Sequence, residues 1–236
     1  YIERMPQEAF NANKFFRWRC YKDFGTGVAG DLFVHLLTGI HMIVGSLGPS
    51  RIFSMGELSF WKDDREAPDV MTAIMEYPET KEHPKFLLTL RVNFASGAGE
   101  QTLIRFIGDR GAMTLAGKDV SIQYNILPKA PGIGDWDALS TYPIAMQENL
   151  MENYIKKYPE EDRKNITRQP IKFSAPAEED KHLNHFAQFF DSVRKGTPVF
   201  EDATFGFRAA APCLSCNESY YSGEIVHWDP IQMKRI

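Results

Sequence analysis

The chain has 236 residues, 43% of them apolar and 25% charged, with a net charge of −4, the balance of an ordinary globular protein. That charge speaks against nucleic acid, which asks for a basic face, and no apolar run approaches the roughly 20 residues that cross a bilayer. Three cysteines, Cys20, Cys213 and Cys216, are too few and too odd in number for a disulfide framework.

Residues 1–13 read as polar and irregular, beginning Tyr1-Ile2-Glu3 with neither an initiator methionine nor a signal-peptide pattern. The expectation is a fragment of a longer protein, with its compartment, cytoplasmic or periplasmic, left unknown. Residues 14–19, Lys14 to Arg19, are aromatic-rich and predict a short extended segment. Cys20 to Gly30 reads as loop, and an apolar helix is predicted from about Gly30 to Ser46, stopped by Gly48 and Pro49.

The period then changes. Strands are predicted over 51–60, 70–77, 86–94, 103–107, 112–115 and 120–124. Leu88, Leu90, Val92 and Phe94 alternate with Thr89, Arg91 and Asn93, as a strand with one buried face would. Short glycine or charged turns at 108–111 and 116–119 imply antiparallel neighbours. A long loop over 128–142 leads to a helix over 143–158, with Pro143 suited to its first turn. Residues 160–177 read as charged connector. A helix over 178–195 carries Leu183, Phe186, Phe189, Phe190 and Val193 on one side and stops at Gly196. Asp202 is suited to cap a last helix over 203–221, which Pro212 is expected to kink, and 223–228 forms a final strand. The fold class is therefore α+β: one open, mostly antiparallel sheet with helices packed on one face, as a single domain over 1–236.

The residues that carry chemistry gather at the helix start. Gly25, Gly27 and Gly30 match the dinucleotide spacing G-x-G-x-x-G. That fingerprint needs a buried parallel strand before the first glycine, and Tyr21-Lys22-Asp23-Phe24 makes a poor one. Asp31 would also set a negative charge where a pyrophosphate wants the positive helix end. Asp31 and His35 stand four apart, a spacing that puts both on one face of an α-helix. An imidazole there can take a proton from a substrate hydroxyl, and a carboxylate can orient it. The alternative is that Asp31 serves the helix N-terminus and His35 is a satisfied core residue; His41, further along, reads as structural. Arg17, Arg19, Tyr21 and Lys22 lead into this motif and could hydrogen-bond a polyol or sugar, or simply coat the surface. Trp61 to Arg65 offers a stacking ring beside charged groups, or a solvated turn. Cys213 and Cys216 form a C-x-x-C without a second ligand pair, so no metal site is predicted.

Taken together, Gly25, Gly27, Asp31 and His35 resemble the D-x-x-x-H motif that opens the C-terminal domain of the Gfo/Idh/MocA oxidoreductases, which include glucose–fructose oxidoreductase and inositol dehydrogenase. Gly108 to Leu115 resembles a later family turn, and Phe186 to Gly196, Asp202-Ala203 and Ser219 to Gly223 its tail. Thr38 departs from the pattern, where many members have an acidic residue. The resemblance implies the substrate-binding and oligomerisation half of a two-domain dehydrogenase, lacking the nucleotide-binding Rossmann domain. It implies NAD or NADP held mainly by that other domain. It also implies oxidation of a sugar, polyol or related hydroxy compound, with His35 as base and Asp31 assisting. Arg19, Tyr21, Lys22 and Trp61 are the candidate substrate contacts. The isolated chain is expected to be inactive, and the bare sheet face to pack against a second copy in a homodimer or tetramer. Two other readings stand beside this one: an NAD-dependent glycoside hydrolase of the same family, and a non-catalytic carbohydrate-binding or scaffold module.

Overall fold

The computed structural model describes residues 8–176 and 180–236. These fall into two compact units. The larger comprises the chain up to Glu100 together with Lys181–Ile236, and the smaller is Gln101–Asp180. The fold is mixed, with open antiparallel sheets and helices, in line with the class the sequence predicts; but the strands form two sheets where one was expected.

In the larger unit, α1 (Ala12–Phe16) and a 3-10 turn over Trp18–Cys20 precede a π-helical turn, Ala29–Phe33, which runs into α2 (Val34–Val44). The extended segment predicted over 14–19 is thus helical. Asn11 explains it: its side chain accepts from the Lys14 amide and caps α1, a local bond that outweighs the β-preference of the aromatics. Helix α2 ends where Gly45, at φ 67°, takes the left-handed cap position.

Strands β1 (Arg51–Glu57), β2 (Val70–Tyr77) and β3 (Phe86–Asn93) form an antiparallel meander. The C-terminal β8 (Val226–Asp229) pairs with β1, and β9 (Lys234–Arg235) follows it, giving the order β3-β2-β1-β8-β9. The inward set Ile52, Met71, Ala73, Met75, Tyr77 and Leu90 is buried, as the period of two requires. Against it lie Phe33 and Leu37 from the π turn and α2, and Ala209, Cys213 and Cys216 from α6 (Ala203–Ser222). Helix α6 starts at Asp202, whose carboxylate accepts from the Phe205 amide, as predicted. It is continuous through Pro212. It is stitched to β1 by Ser54, whose amide donates to Ser219 Oγ at 3.0 Å and whose hydroxyl donates to the Cys216 carbonyl at 2.5 Å. Helix α5 (Lys181–Lys195) keeps Leu183, Phe186, Phe189, Phe190 and Val193 exposed. The first two residues of that predicted helix, 178 and 179, lie outside the described residues.

The smaller unit is a second meander, β4 (Leu103–Gly108), β5 (Gly111–Ala116), β6 (Asp119–Ile126) and β7 (Ile166–Ser174), with α3 (Ile144–Lys157) and α4 (Glu160–Arg163) between β6 and β7. Strand β7 corrects the reading of 160–177 as connector. Every one of its residues is exposed, so it carries no alternating apolar signal, and it forms through backbone pairing with β6. Among the described residues of this unit only Ala130 is buried. No described helix is long and apolar enough to cross a membrane.

Candidate active site

The site is built on the glycine-rich turn. Gly25 crosses the backbone of Arg19 so closely that a Cβ on it would lie 2.7 Å from the Arg19 Cα, and Gly27 sits at φ +57°. Both glycines are therefore required by chain geometry. Among the described residues no strand precedes them; the segment directly before is a 3-10 turn and loop. This is not a nucleotide cradle, and no residue of this chain is assigned to one. The turn is held from behind by Asn217 of α6, whose amide donates to the Thr26 carbonyl at 2.6 Å.

Beyond the turn, Phe33 and Leu37 point into the core with no exposed surface. His35, between them in sequence, is exposed, and Asp31, two residues before Phe33, is half-buried. The i, i+4 argument placed these two together. The π turn alters that, because its wider i→i+5 winding shifts the side-chain spacing. Asp31 Oδ2 instead meets Arg19 Nε at 3.2 Å, and among the described residues no hydrogen bond joins it to His35. Arg19 is itself laid over the Trp18 ring, its guanidinium carbon 4.1 Å from the centroid. The carboxylate is thus oriented by an arginine, and the imidazole stands in water.

The other predicted contacts are placed as follows. Tyr21 is 6% exposed, part of the packing beneath the segment. Lys22 donates its amide to Glu66 at 2.8 Å and extends its ammonium over the Tyr221 ring at 4.3 Å. Trp61 is half-buried, with Arg65 4.9 Å over its ring and Phe60 edge-on at 5.1 Å. The loop carrying Trp61 is bound to the 17–22 segment. Arg17 donates to Asp63 at 2.5 Å, and the Glu66 and Ala67 amides both donate to the Cys20 carbonyl at 2.9 Å. Arg65 forks onto the same Asp63 carboxylate at 2.6 and 2.9 Å. Hydrogen bonds from Arg65 and Arg17 outweigh desolvation and hold that carboxyl well below the usual range.

The sequence reading missed Asp69. It is 1% exposed and accepts from the Ser59 amide and hydroxyl, the Phe60 amide and the Trp61 amide at 2.8 to 3.1 Å. Burial raises its pKa, but these four donors outweigh it and leave it at about 2. The only signal in sequence was an aspartate closing a loop before a strand.

His41 is structural, as predicted: 1% exposed, with Nε2 2.8 Å from the Tyr77 hydroxyl. Cys213 and Cys216 are buried free thiols, and burial pushes Cys213 up to about 12, away from thiolate chemistry. No group of three or more metal-ligating side chains occurs among the described residues.

Comparison with known proteins follows this geometry. Residues 4–114 match the GFO/IDH/MocA C-terminal domain family. No curated protein matches the chain. Among solved structures, an oxidoreductase from Thermotoga maritima is similar over 98% of this chain and 52% of its own, at 12% identity and a TM-score of 0.57. An aldose-aldose oxidoreductase from Caulobacter crescentus, complexed with glycerol, is similar over 89% of this chain and 50% of its own, at 10% identity and a TM-score of 0.55. An oxidoreductase from Agrobacterium radiobacter, in complex with NAD+, L-tartaric acid and magnesium, is similar over 95% of this chain and 55% of its own, at 13% identity and a TM-score of 0.54. The chain therefore spans about half the length of these structures, and at such identities they establish the fold. Residues 4–114 thus match the GFO/IDH/MocA C-terminal domain family, and the fold of the chain is similar to that of these oxidoreductase structures.

Proposed function

We propose that this chain is the substrate-binding half of an NAD(P)-dependent oxidoreductase that acts on a sugar, polyol or related hydroxy compound. The observation that carries the reading is His35, exposed at the head of α2 directly after a π turn whose carboxylate, Asp31, is already fixed by Arg19. An imidazole with access to solvent and a free ring nitrogen can accept the proton of a substrate hydroxyl. As the proton leaves oxygen, the carbon-bound hydrogen departs with its electron pair, and the C–O single bond becomes C=O. A nicotinamide, when bound, would supply the acceptor for that hydride, and by the family resemblance it would be held mainly by another domain. Asp31, paired with Arg19 at 3.2 Å, places a carboxylate one helical turn before His35. Arg19, Lys22 and Trp61 supply hydrogen-bond donors and a stacking ring for the hydroxylated substrate, with Tyr21 packed beneath them. The glycerol complex of the Caulobacter crescentus enzyme and the NAD+ complex of the Agrobacterium radiobacter one support this choice of ligand classes. The exposed apolar residues of the smaller unit's sheet, Leu103, Ile107, Ile171 and Phe173, support packing against a second copy.

The test is made on the full-length protein, assayed for NAD+ and NADP+ reduction with a panel of aldoses, polyols and hydroxy acids. His35→Ala is expected to lower kcat/KM by about 100-fold or more, with the thermal midpoint unchanged. Equal rates in the variant and the wild type would refute the assignment and favour a non-catalytic module.

A further inference from the structure

Asp69, the residue immediately before β2, ties the sheet of the larger unit to the Trp61 loop. Its backbone belongs to the sheet: its amide donates to the Glu57 carbonyl at 3.1 Å, and its carbonyl accepts from the Phe94 amide at 2.9 Å. Its side chain belongs to the loop, accepting the four bonds from Ser59, Phe60 and Trp61. From Trp61 the connection continues through Arg65, over the ring, to Asp63 and then to Arg17. Arg17 stands two residues from Arg19, the partner of Asp31. A buried carboxylate is costly unless its lone pairs are filled. Here they are filled by consecutive backbone amides, so the loop can leave its position only by stranding that charge.

We infer that Asp69 is the positioning residue of the candidate site: it holds the Trp61 ring as a preformed stacking wall for the sugar or polyol, without touching the ligand. The inference rests on the proposed substrate class. Preorganising one ring spares the ligand the cost of ordering a loop of twelve residues, 58–69. Asparagine cannot replace the carboxylate, because its amide would turn a donor toward donors.

The experiment compares wild type, Asp69→Asn, Ser59→Ala, Trp61→Ala and the Asp69→Asn/Trp61→Ala double variant in the full-length protein. Binding of D-glucose and D-sorbitol is measured by calorimetry, and backbone hydrogen exchange is followed over residues 58–69. Ser59→Ala, which removes one donor of four, keeps the test open if Asp69→Asn does not fold. Trp61→Ala is expected to weaken sugar binding about tenfold, the worth of one aromatic contact. Asp69→Asn should match it within about twofold, and the double variant should be no weaker than Trp61→Ala alone. Ser59→Ala should weaken binding about threefold. Exchange over 58–69 should rise in the Asp69 and Ser59 variants while that of β2 and β3 stays unchanged. Additive losses in the double variant, unchanged exchange over 58–69, Trp61→Ala binding as tightly as wild type, or a wild type that binds neither sugar would each overturn the inference. If His35→Ala keeps full activity while Trp61→Ala and Asp69→Asn still lose sugar, the catalytic assignment falls and the positioning role stands.

Discussion

The two units use the same device, an antiparallel meander, and differ in what covers it. In the larger unit the inner sheet face meets α2 and α6, and Phe33, Leu37, Ile52, Met71, Met75 and Tyr77 are all fully buried. In the smaller unit the strands also pair antiparallel, with one register shift on β6 between Ile122 and Tyr124, yet among its described residues only Ala130 is buried. Backbone pairing thus shapes both units, and apolar burial is concentrated in one. Net hydrogen-bond stability is modest, about 1 kcal/mol per bond, whereas a buried Phe or Leu contributes about 2–3 kcal/mol. The candidate site sits on the cored unit, where a rigid frame can hold charged side chains in place.

The largest effect that probes this contrast is core truncation. Phe33→Ala should cost about 3–5 kcal/mol, whereas Phe173→Ala in β7, with Phe173 62% exposed, should change stability by less than about 0.5 kcal/mol. Urea unfolding of both variants measures the difference, and similar losses would erase the contrast.

Next comes pH. Burial, then the charges of Arg208 and His83, lower His41 from 6.5 to about 4; its Nε2 faces Tyr77 and its Nδ1 has no hydrogen-bond partner among the described residues. The unfolded chain therefore binds a proton between pH 6.5 and 4 that the folded chain refuses, so stability falls as pH drops through that window. The full loss is about 3 kcal/mol. His41→Gln should flatten the dependence. The window is separate from that of Asp69, whose depressed pKa of about 2, against an ordinary 3.8, removes stability only as pH falls below about 4. Chemical denaturation at several pH values between 3 and 8 checks both.

The smaller unit has its own weak point. Gly111 stands at φ +147°, and a Cβ there would meet the Gln123 carbonyl oxygen at 2.1 Å, so Gly111→Ala must part β5 from β6. The expected cost is about 2 kcal/mol, read as faster amide exchange confined to residues 101–180. Exchange that stays at the wild-type rate there would show that the unit is held by more than its ladder.

What the sequence revealed follows the same division. Strands β1 to β3 and helices α2 and α6 announce themselves because burial imposes a period on their apolar residues; Asp202 marks the start of α6, whereas the stop of α2, read at Gly48 and Pro49, falls earlier, at Gly45. Strand β7 does not, since a strand with no buried side chain carries no pattern. Nor could spacing reveal that Ala29–Phe33 winds as a π turn, or that Arg19 rather than His35 would take the Asp31 carboxylate. Those depend on the crossing of the chain at Gly25, a contact between segments. Asp69 was hidden for a related reason: its partners lie eight to ten residues earlier in an irregular loop, where no periodicity applies.

The central claim is that His35 accepts the substrate proton, and imidazole rescue tests it most directly. In the full-length protein carrying His35→Ala, free imidazole added to the assay should restore the lost rate by about tenfold or more, saturably, because the small base enters the space the side chain left. A folded variant whose rate is lost but does not respond to imidazole, or one that loses no rate at all, would contradict the account.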